Sequence, residues 1–467
     1  MGHGISFLRQ AIALACTGFF LGSFLLGGAS VAAESSGGTR EGLFGDEDDP
    51  FKDVKGEGKA VPSSGGSGIK GFVQVELART TASPVHWSKM MTRGELSGNG
   101  NLGNGVKWKL GARVDYDAVY SYDDNYYTTP VEHDQRFNIS LRENYLDVAA
   151  GDWDFRFGKQ NVVWGEMVGL FFADVVSARD MHEFILPEFD MMRIPQWAAR
   201  AEYFKDDFHA ELVWIPVASY DLIGKPGADF YPWQLQPPGV KVVYRNEDLP
   251  SKTIDNMNYG VRLSVLKNGW DVSGFAYSSM DITPTFYRDA VSIPGTYIYR
   301  AKHDRIEQYG GTVAKDFGDV VLKSEMVYTH GRQFAVLRAS DNNGVVPQNT
   351  LDWAIGLDFP LPADTRFNVQ FFQRRYFSHD SDLMADAEEN GYSLLLNHKF
   401  NDKLEAQITW LSSLNRTDWL LRPRVNWNFE RNWRLAVGAD IFNGPKFGFF
   451  GRYGNEDRVY SEVRYSF

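Results

Sequence analysis

Residues 458–467 read RVYSEVRYSF, with Val459, Val463, Tyr465 and Phe467 alternating with polar neighbours. Side chains that alternate with period two to the end of a strand suit a wall between an apolar and a polar medium. The closing strand of an outer-membrane β-barrel has this form, and so has a strand of a soluble sheet. The stretch 106–120, VKWKLGARVDYDAVY, goes further. Val106, Trp108, Leu110, Ala112, Val114, Tyr116, Ala118 and Tyr120 share one face, while Lys107, Lys109, Arg113, Asp115 and Asp117 share the other. At about 3.3 Å per residue and a tilt near 40°, such a strand crosses a bilayer core with length to spare.

Comparable runs recur from Phe72 to Phe442. Short turns, such as Gly151-Asp152, Lys267-Asn268-Gly269 and Asn401-Asp402-Lys403, alternate with long links at about 163–196, 216–257, 278–308, 329–350 and 377–391. This order predicts a transmembrane antiparallel β-barrel with short periplasmic turns and long external loops. Placing the strands in sequence, with a weaker one near Met90 to Gly98, gives 18; 16 remains open because the first two are the faintest. Beyond residue 33 no apolar run approaches the roughly 18 residues of a helical span. A membrane-embedded chain of this kind must therefore close into a barrel to satisfy its backbone.

Residues 1–33 carry Arg9, an apolar stretch from Ala11 to Gly28 and a small-residue end at Val31-Ala32-Ala33. They read as a secretory signal peptide. The single cysteine, Cys16, lies within it, which leaves the mature chain without thiol chemistry or a thiolate metal site. Residues 34–68 hold GDEDDP and SSGGSG and read as a flexible acidic periplasmic segment ahead of a barrel over 69–467. A formal charge of −12 argues against a nucleic-acid partner. An aromatic content of 15% with a mean hydropathy of −0.34 suits strands apolar on one side only.

The link at 163–196 follows the fifth strand and is the third external loop. Its acids are Glu166, Asp174, Asp180, Glu183, Glu188 and Asp190, against Arg179 and Arg193, and it also carries Phe171-Phe172, Phe184-Ile185-Leu186 and Met191-Met192. Two readings fit so apolar a loop: it folds into the lumen as a constriction, or it packs over the rim as a cap. Lys109, Arg113, Asp115, Asp117, Arg142 and Arg156 would face it from the lumen wall. Charges of opposite sign across a path set up a transverse field; they can equally pair with one another and tie the loop down. Calcium bridging through Glu183, Glu188 and Asp190 is conceivable, but no metal site or cofactor is assigned. The sequence contains no G-x-S-x-G or H-E-x-x-H, and the scattered histidines suggest no catalytic set, so an enzyme is not expected.

Residues 141–180, LRENYLDVAAGDWDFRFGKQNVVWGEMVGLFFADVVSARD, followed by RIPQWAARAEYF at 193–204, carry L-R-E-x-Y-x-D, G-K-Q-x-x-x-W-G-E, D-V-V-S-x-R-D and R-x-P. In these motifs, and in GADIFNGPKFGFFGRYGNEDRVYSEVRYSF at 438–467, the chain resembles a proteobacterial family of outer-membrane proteins, domain-of-unknown-function family 1302. Ser177 stands where that family more commonly has Asn. Gly158, Gln160, Trp164, Gly165, Glu166, Asp174, Arg179, Asp180, Arg193 and Pro195 are the family-like positions. The resemblance implies a barrel in the outer membrane of a Gram-negative bacterium and, for some members, movement of hydrophobic compounds with periplasmic partners. The resulting expectation is a channel or transporter passing a small or hydrophobic solute through a lumen narrowed by the third loop. Pore candidates are Lys109, Arg113, Asp115, Asp117, Arg142, Arg156, Gln160, Glu166, Asp174, Arg179, Asp180 and Arg193. The alternative is a non-conducting binding or structural barrel acting with partner proteins. Expected partners are outer-membrane lipid, the barrel-assembly machinery through the C-terminal strand, and periplasmic transport proteins.

Overall fold

The computed structural model describes residues 68–467, apart from 123–125, 166, 168–171, 236–237, 290–294, 339–340 and 342. The signal peptide at 1–33 and all but the last residue of the 34–68 segment lie outside the described residues. One antiparallel sheet of nineteen strand segments runs through the chain. Two of them are halves of one interrupted strand, so the sheet has eighteen strands.

In chain order the strands are β1 (Gly68–Thr80), β2 (Trp87–Gly103), β3 (Val106–Asp117), β4 (Phe137–Leu141, resuming as Asn144–Ala150), β5 (Trp153–Gln160), β6 (Gln196–Lys205), β7 (Phe208–Val217), β8 (Asn258–Lys267) and β9 (Trp270–Met280). There follow β10 (Arg305–Asp316), β11 (Val321–His330), β12 (Asn349–Leu361), β13 (Thr365–Phe377), β14 (Glu388–Asn401), β15 (Leu404–Ser413), β16 (Trp419–Glu430), β17 (Trp433–Asn443) and β18 (Arg458–Ser466). Each pairs with the next, and β1 pairs with β18 from Phe72↔Ser466 to Thr80↔Arg458, which closes the ring. Gly71 and Phe467 seal the seam, each backbone N–H donating to the other's carbonyl at 2.9 Å. No helix among the described residues is long and apolar enough to cross a membrane.

The period-two pattern sorts the faces as expected. Val73, Val75 and Leu77 on β1, Leu110, Val114 and Tyr116 on β3, and Val459 and Val463 on β18 point outward and are exposed. Gln74, Arg113, Glu325, Arg434, Arg458 and Glu462 fall on the opposite parity and are buried inside. An apolar outer wall around a charged interior is what a lipid-embedded barrel requires.

One end of the barrel carries tight turns, including Asn104-Gly105 and Asn268-Gly269 with positive φ at both residues, as two-residue hairpins of right-handed strands demand. The other end carries the links 81–86 (L1), 118–136 (L2), 161–195 (L3), 218–257 (L4), 281–304 (L5), 331–348 (L6), 378–387 (L7), 414–418 (L8) and 444–457 (L9). L4 and L5 build a small sheet of their own from Lys241–Tyr244, Thr296–Lys302 and Thr285–Asp289.

Two strand expectations need correction. The alternation through Tyr120 breaks at Asp117, whose Oδ1 accepts the backbone N–H of Val119 at 3.0 Å and of Met90 at 2.9 Å. The chain then coils into one helical turn, Val119–Tyr122, which buries Val119 and Tyr120 beneath L2. A local carboxylate cap thus overrides a side-chain pattern that would suit a strand equally well. The run expected at Phe137 to Val148 is likewise interrupted. The Asn144 side chain bonds both backbone groups of Gly111, donating to its carbonyl at 2.8 Å and accepting its N–H at 3.3 Å. The bulge turns Arg142 toward the interior, a typical use of such irregularities.

Candidate functional site

L3 begins where β5 ends and threads among inward-facing side chains. Trp164, 1% exposed, donates its indole N–H to Glu211 of β7 at 3.2 Å. Its ring packs against Phe275 and Tyr277 of β9. Gly260 makes that socket possible, because a Cβ there would fall 2.9 Å from the Trp164 ring. Gly165 is needed too: a Cβ would meet the backbone N of Asp174 at 2.8 Å. Glu325 of β11, 1% exposed, accepts the backbone N–H of Met167 at 2.7 Å and of Ala173 at 3.0 Å. The W-G of the family-like motif is therefore an anchor and a close approach.

Beyond Ser177 the loop pairs with itself, Ala178 with Ile194 and Arg179 with Arg193. The hairpin so formed carries residues 180–192 to the far wall. Glu183 pairs with Lys89 of β2 at 2.5 Å and with Arg458 of β18 at 2.9 Å. The Leu186 carbonyl accepts from Arg422 of β16. Glu188 reaches Arg424 of β16 at 2.9 Å and lies 3.8 Å from Arg434 of β17. Arg113 of β3 donates to the Met191 carbonyl at 3.0 Å, and Arg142, at the interruption of β4, to the carbonyls of Arg193 and Asp190 at 2.9 and 2.7 Å. Strands β2 and β11 stand on opposite sides of the ring, so one loop is tied to both.

Apolar packing completes the attachment. Val162, Trp164, Ala173, Val175 and Val176 join wall residues of β6, β7, β9 and β11 in one buried cluster. Phe184 and Leu186 join another with Phe230 of L4, Leu420, Phe442 and two residues of L9, Phe450 and Tyr453.

Between the hairpin and the β1–β2 and β16–β18 wall lies a narrow cleft of about 50 Å³. Lys89, Arg93, Arg424, Arg434 and Arg458 line it, with Glu76, Glu183, Glu188 and Glu462 interleaved. Burial opposes ionisation of the loop carboxyls. Lys89 and Arg458 nevertheless hold Glu183 below the usual carboxylate range, and Arg424 with Arg434 does the same for Glu188.

Nine of the twelve sequence-derived candidates divide into three groups. Arg113 and Arg142 hold the L3 backbone. Lys109 pairs with Glu143 at 2.6 Å, Asp115 with Arg93 at 2.6 Å and Arg156 with Asp147 at 2.5 Å, all along the wall. Within the loop, Arg193 donates to Asp174 at 3.1 Å and Arg179 to Asp221 of L4 at 2.8 Å, while Gln160, fully buried at the end of β5, donates to the Ala198 carbonyl of β6 at 3.0 Å. Asp117 caps the L2 turn described above. Glu166 lies outside the described residues. Glu183 and Glu188 face cations of the chain. Glu325 and the arginines of β16–β18 were not among the expected pore residues, although Arg422 and Arg424 share one parity two residues apart, the signal that identified Arg113 and Asp115 on β3.

Asp180 and His182 brace the hairpin against L2, with His182 Nδ1 2.6 Å from Asp180 and Nε2 3.2 Å from Asp134. Burial disfavours the imidazolium, but the two carboxylates outweigh it and raise His182 to about 10. A raised folded value contributes stability that is fully present below the ordinary histidine range near 6.5 and is lost as pH climbs through about 10. L3 should therefore become easier to nick with protease between those limits, and His182→Gln should remove that dependence; nicking of the wild type that is flat from pH 6 to 10.5 would contradict it.

His209 of β7 lies 3.2 Å from Ser264 of β8 and 3.1 Å from Glu202 of β6, in the order of a nucleophile, base and acid. All three sit mid-sheet, with β8 laddered on both sides. The strand amides around Ser264 are engaged and offer no oxyanion hole, so the trio reads as a cross-strand polar ladder.

The sequence family described as a protein of unknown function, DUF1302, matches residues 89–467, and the chain belongs to it. No curated protein matches. Among solved structures, OccK8 (OprE) of Pseudomonas aeruginosa is 8% identical, with 86% of this chain and 98% of that one covered and a TM-score of 0.50. OccAB2 of Acinetobacter baumannii is 10% identical, with the same coverage and TM-score. At these identities the likeness is one of fold: a closed antiparallel barrel of the outer-membrane porin type.

Proposed function

We propose that the protein is an outer-membrane channel of a Gram-negative bacterium that passes small charged or zwitterionic solutes through a lumen narrowed by L3. The carrying observation is the span of one loop between opposed walls, from Glu325 on β11 to Lys89 and Arg458 on β2 and β18. A rim cap would meet loop residues and strand ends alone; besides such contacts, to Asp134 of L2, Phe230 of L4 and Arg458 at the start of β18, L3 meets the mid-strand side chains Glu325 and Arg424. Cations and carboxylates alternate along the cleft, so a passing solute would exchange partners with fixed charges. This chemistry supports a polar solute over the hydrophobic one that family resemblance suggests. Insertion by the barrel-assembly machinery through the C-terminal strand and hand-over to periplasmic proteins belong to the same proposal.

Planar-bilayer recording of the purified barrel tests it. Glu188 partly balances Arg424 and Arg434; its removal leaves Glu462, which faces both, as their carboxylate partner. An unbalanced unit charge about 4 Å from a permeating ion is worth about 1 kcal/mol even at the dielectric of water, roughly five-fold in local anion occupancy. Glu188→Gln should therefore keep a steady conductance and move the reversal potential toward anions. Silence in both proteins would sink the channel and leave the non-conducting binding barrel.

A further inference from the structure

At the long-loop end, three residues distant in sequence converge: His86 of L1, Asp229 of L4 and Glu456 of L9. One ligand atom from each lies within 4.8 Å of the other two. The His86 side chain is 3% exposed and that of Asp229 9%. His86 Nδ1 lies 2.9 Å from the Pro84 carbonyl, which can only accept, and 3.1 Å from the Thr80 hydroxyl, which already accepts the His86 backbone N–H; the shorter contact calls for the proton on Nδ1. That fixes the tautomer and turns Nε2 toward Asp229 Oδ2 at 3.2 Å. In a neutral ring this sets a nitrogen lone pair against a carboxylate oxygen, an arrangement that a proton or a metal ion between them resolves. Glu456 Oε2 is buried and has no hydrogen-bond partner among the described residues. Tyr127 donates its hydroxyl to Asp229 Oδ2 at 3.0 Å, and Tyr126 stacks on the imidazole at 3.8 Å.

From this geometry we infer that His86, Asp229 and Glu456 form a site for a divalent transition-metal ion of the zinc type, with the fourth position open to water. One imidazole and two carboxylates suit zinc and cancel its charge, while calcium prefers oxygen alone. With bonds of about 2.0–2.1 Å, ligand atoms on a tetrahedral zinc ion lie about 3.4 Å apart, so binding would draw the three in from separations of up to 4.8 Å. The histidine N–H bound to a backbone carbonyl and the tyrosine on the carboxylate are the outer partners that such sites employ. The ion would fasten L1, L4 and L9 together. L4 and L9 also supply Phe230, Phe450 and Tyr453 to the socket of Phe184, so the metal would stiffen the frame that seats the L3 hairpin.

The test is Co²⁺ and Zn²⁺ titration of the refolded, metal-stripped barrel in detergent, read by the visible absorption of four-coordinate Co²⁺ and by equilibrium dialysis. The wild type should bind one ion per chain with a tetrahedral spectrum that Zn²⁺ displaces. Glu456→Gln, nearly isosteric, should lose at least the roughly ten- to hundred-fold in affinity that removing an outer partner of a metal site costs, and His86→Ala more, with heat-modifiable electrophoretic mobility confirming closed barrels. Failure of the wild type to bind either ion, or undiminished binding by Glu456→Gln, would overturn the site and leave His86 as an imidazolium paired with Asp229. Should His86→Ala fail to fold, the wild type and Glu456→Gln alone decide between the two.

Discussion

Glu325→Leu should free the first half of L3 and raise the conductance of the barrel several-fold, with open-state noise that the wild type lacks. Glu325 is almost fully buried, and its carboxylate accepts from two loop amides, Met167 at 2.7 Å and Ala173 at 3.0 Å. Hydrogen bonds to a charged acceptor contribute about 1.5–3 kcal/mol each, so their joint loss costs the docked loop about 3–6 kcal/mol. That is at least a hundred-fold shift between docked and released loop. Glu325→Gln keeps the volume and one acceptor oxygen but turns an NH₂ toward the second amide. It should lose about half as much and give an intermediate conductance. Limited proteolysis at Arg179 and Arg193 reads release independently of ion flow. If both variants conduct and resist protease as the wild type does, Glu325 is not the latch.

The barrel itself was legible because its cause is periodic. A wall with lipid outside and charge inside writes alternation into every strand, and eighteen strands with L3 after the fifth follow from counting the runs. The misplaced ends, at Asp117 and at Arg142-Glu143, are sites where one polar side chain captures a neighbouring backbone group, an event that leaves no periodic trace. The site was half legible. Arg113 and Arg142 were found because they lie close in sequence to L3. Glu325, Arg424 and Arg458 were missed because closure of the ring brings them to the loop, and pairing across that distance is a property of the closed barrel. The family-like W-G was visible as a motif, but its meaning required Gly260 and Glu325, on strands far along the chain.

The same limit applies to GPKFGFFGRYG at 444–454, where the recurring glycines stand out and the residue they serve does not. That residue is Asp418 of L8, 1% exposed. Its carboxylate accepts three consecutive backbone N–H groups, Phe449 at 2.6 Å, Phe450 at 3.0 Å and Gly451 at 2.8 Å. A Cβ on Gly444 would lie 2.5 Å from Asp418 Oδ1 and one on Gly448 2.7 Å from the same atom, so the nest closes only around glycine. Asp418→Ala leaves three donors unpaired, those of Phe450 and Gly451 in buried residues, at about 1–3 kcal/mol for each buried donor, an expected loss of about 2–6 kcal/mol. L9 should then detach. Because Phe184 packs at 5.0 Å against Phe449 and 4.7 Å against Tyr453, the L3 hairpin should loosen with it. The heat-modifiability transition should fall and protease should cut both L9 and L3. Asp418→Asn, which keeps acceptor capacity on one oxygen, should show about half the effect. Cutting confined to L9 would break the proposed link between the nest and the hairpin, and an unchanged transition would remove Asp418 from the account of what holds the long-loop end together.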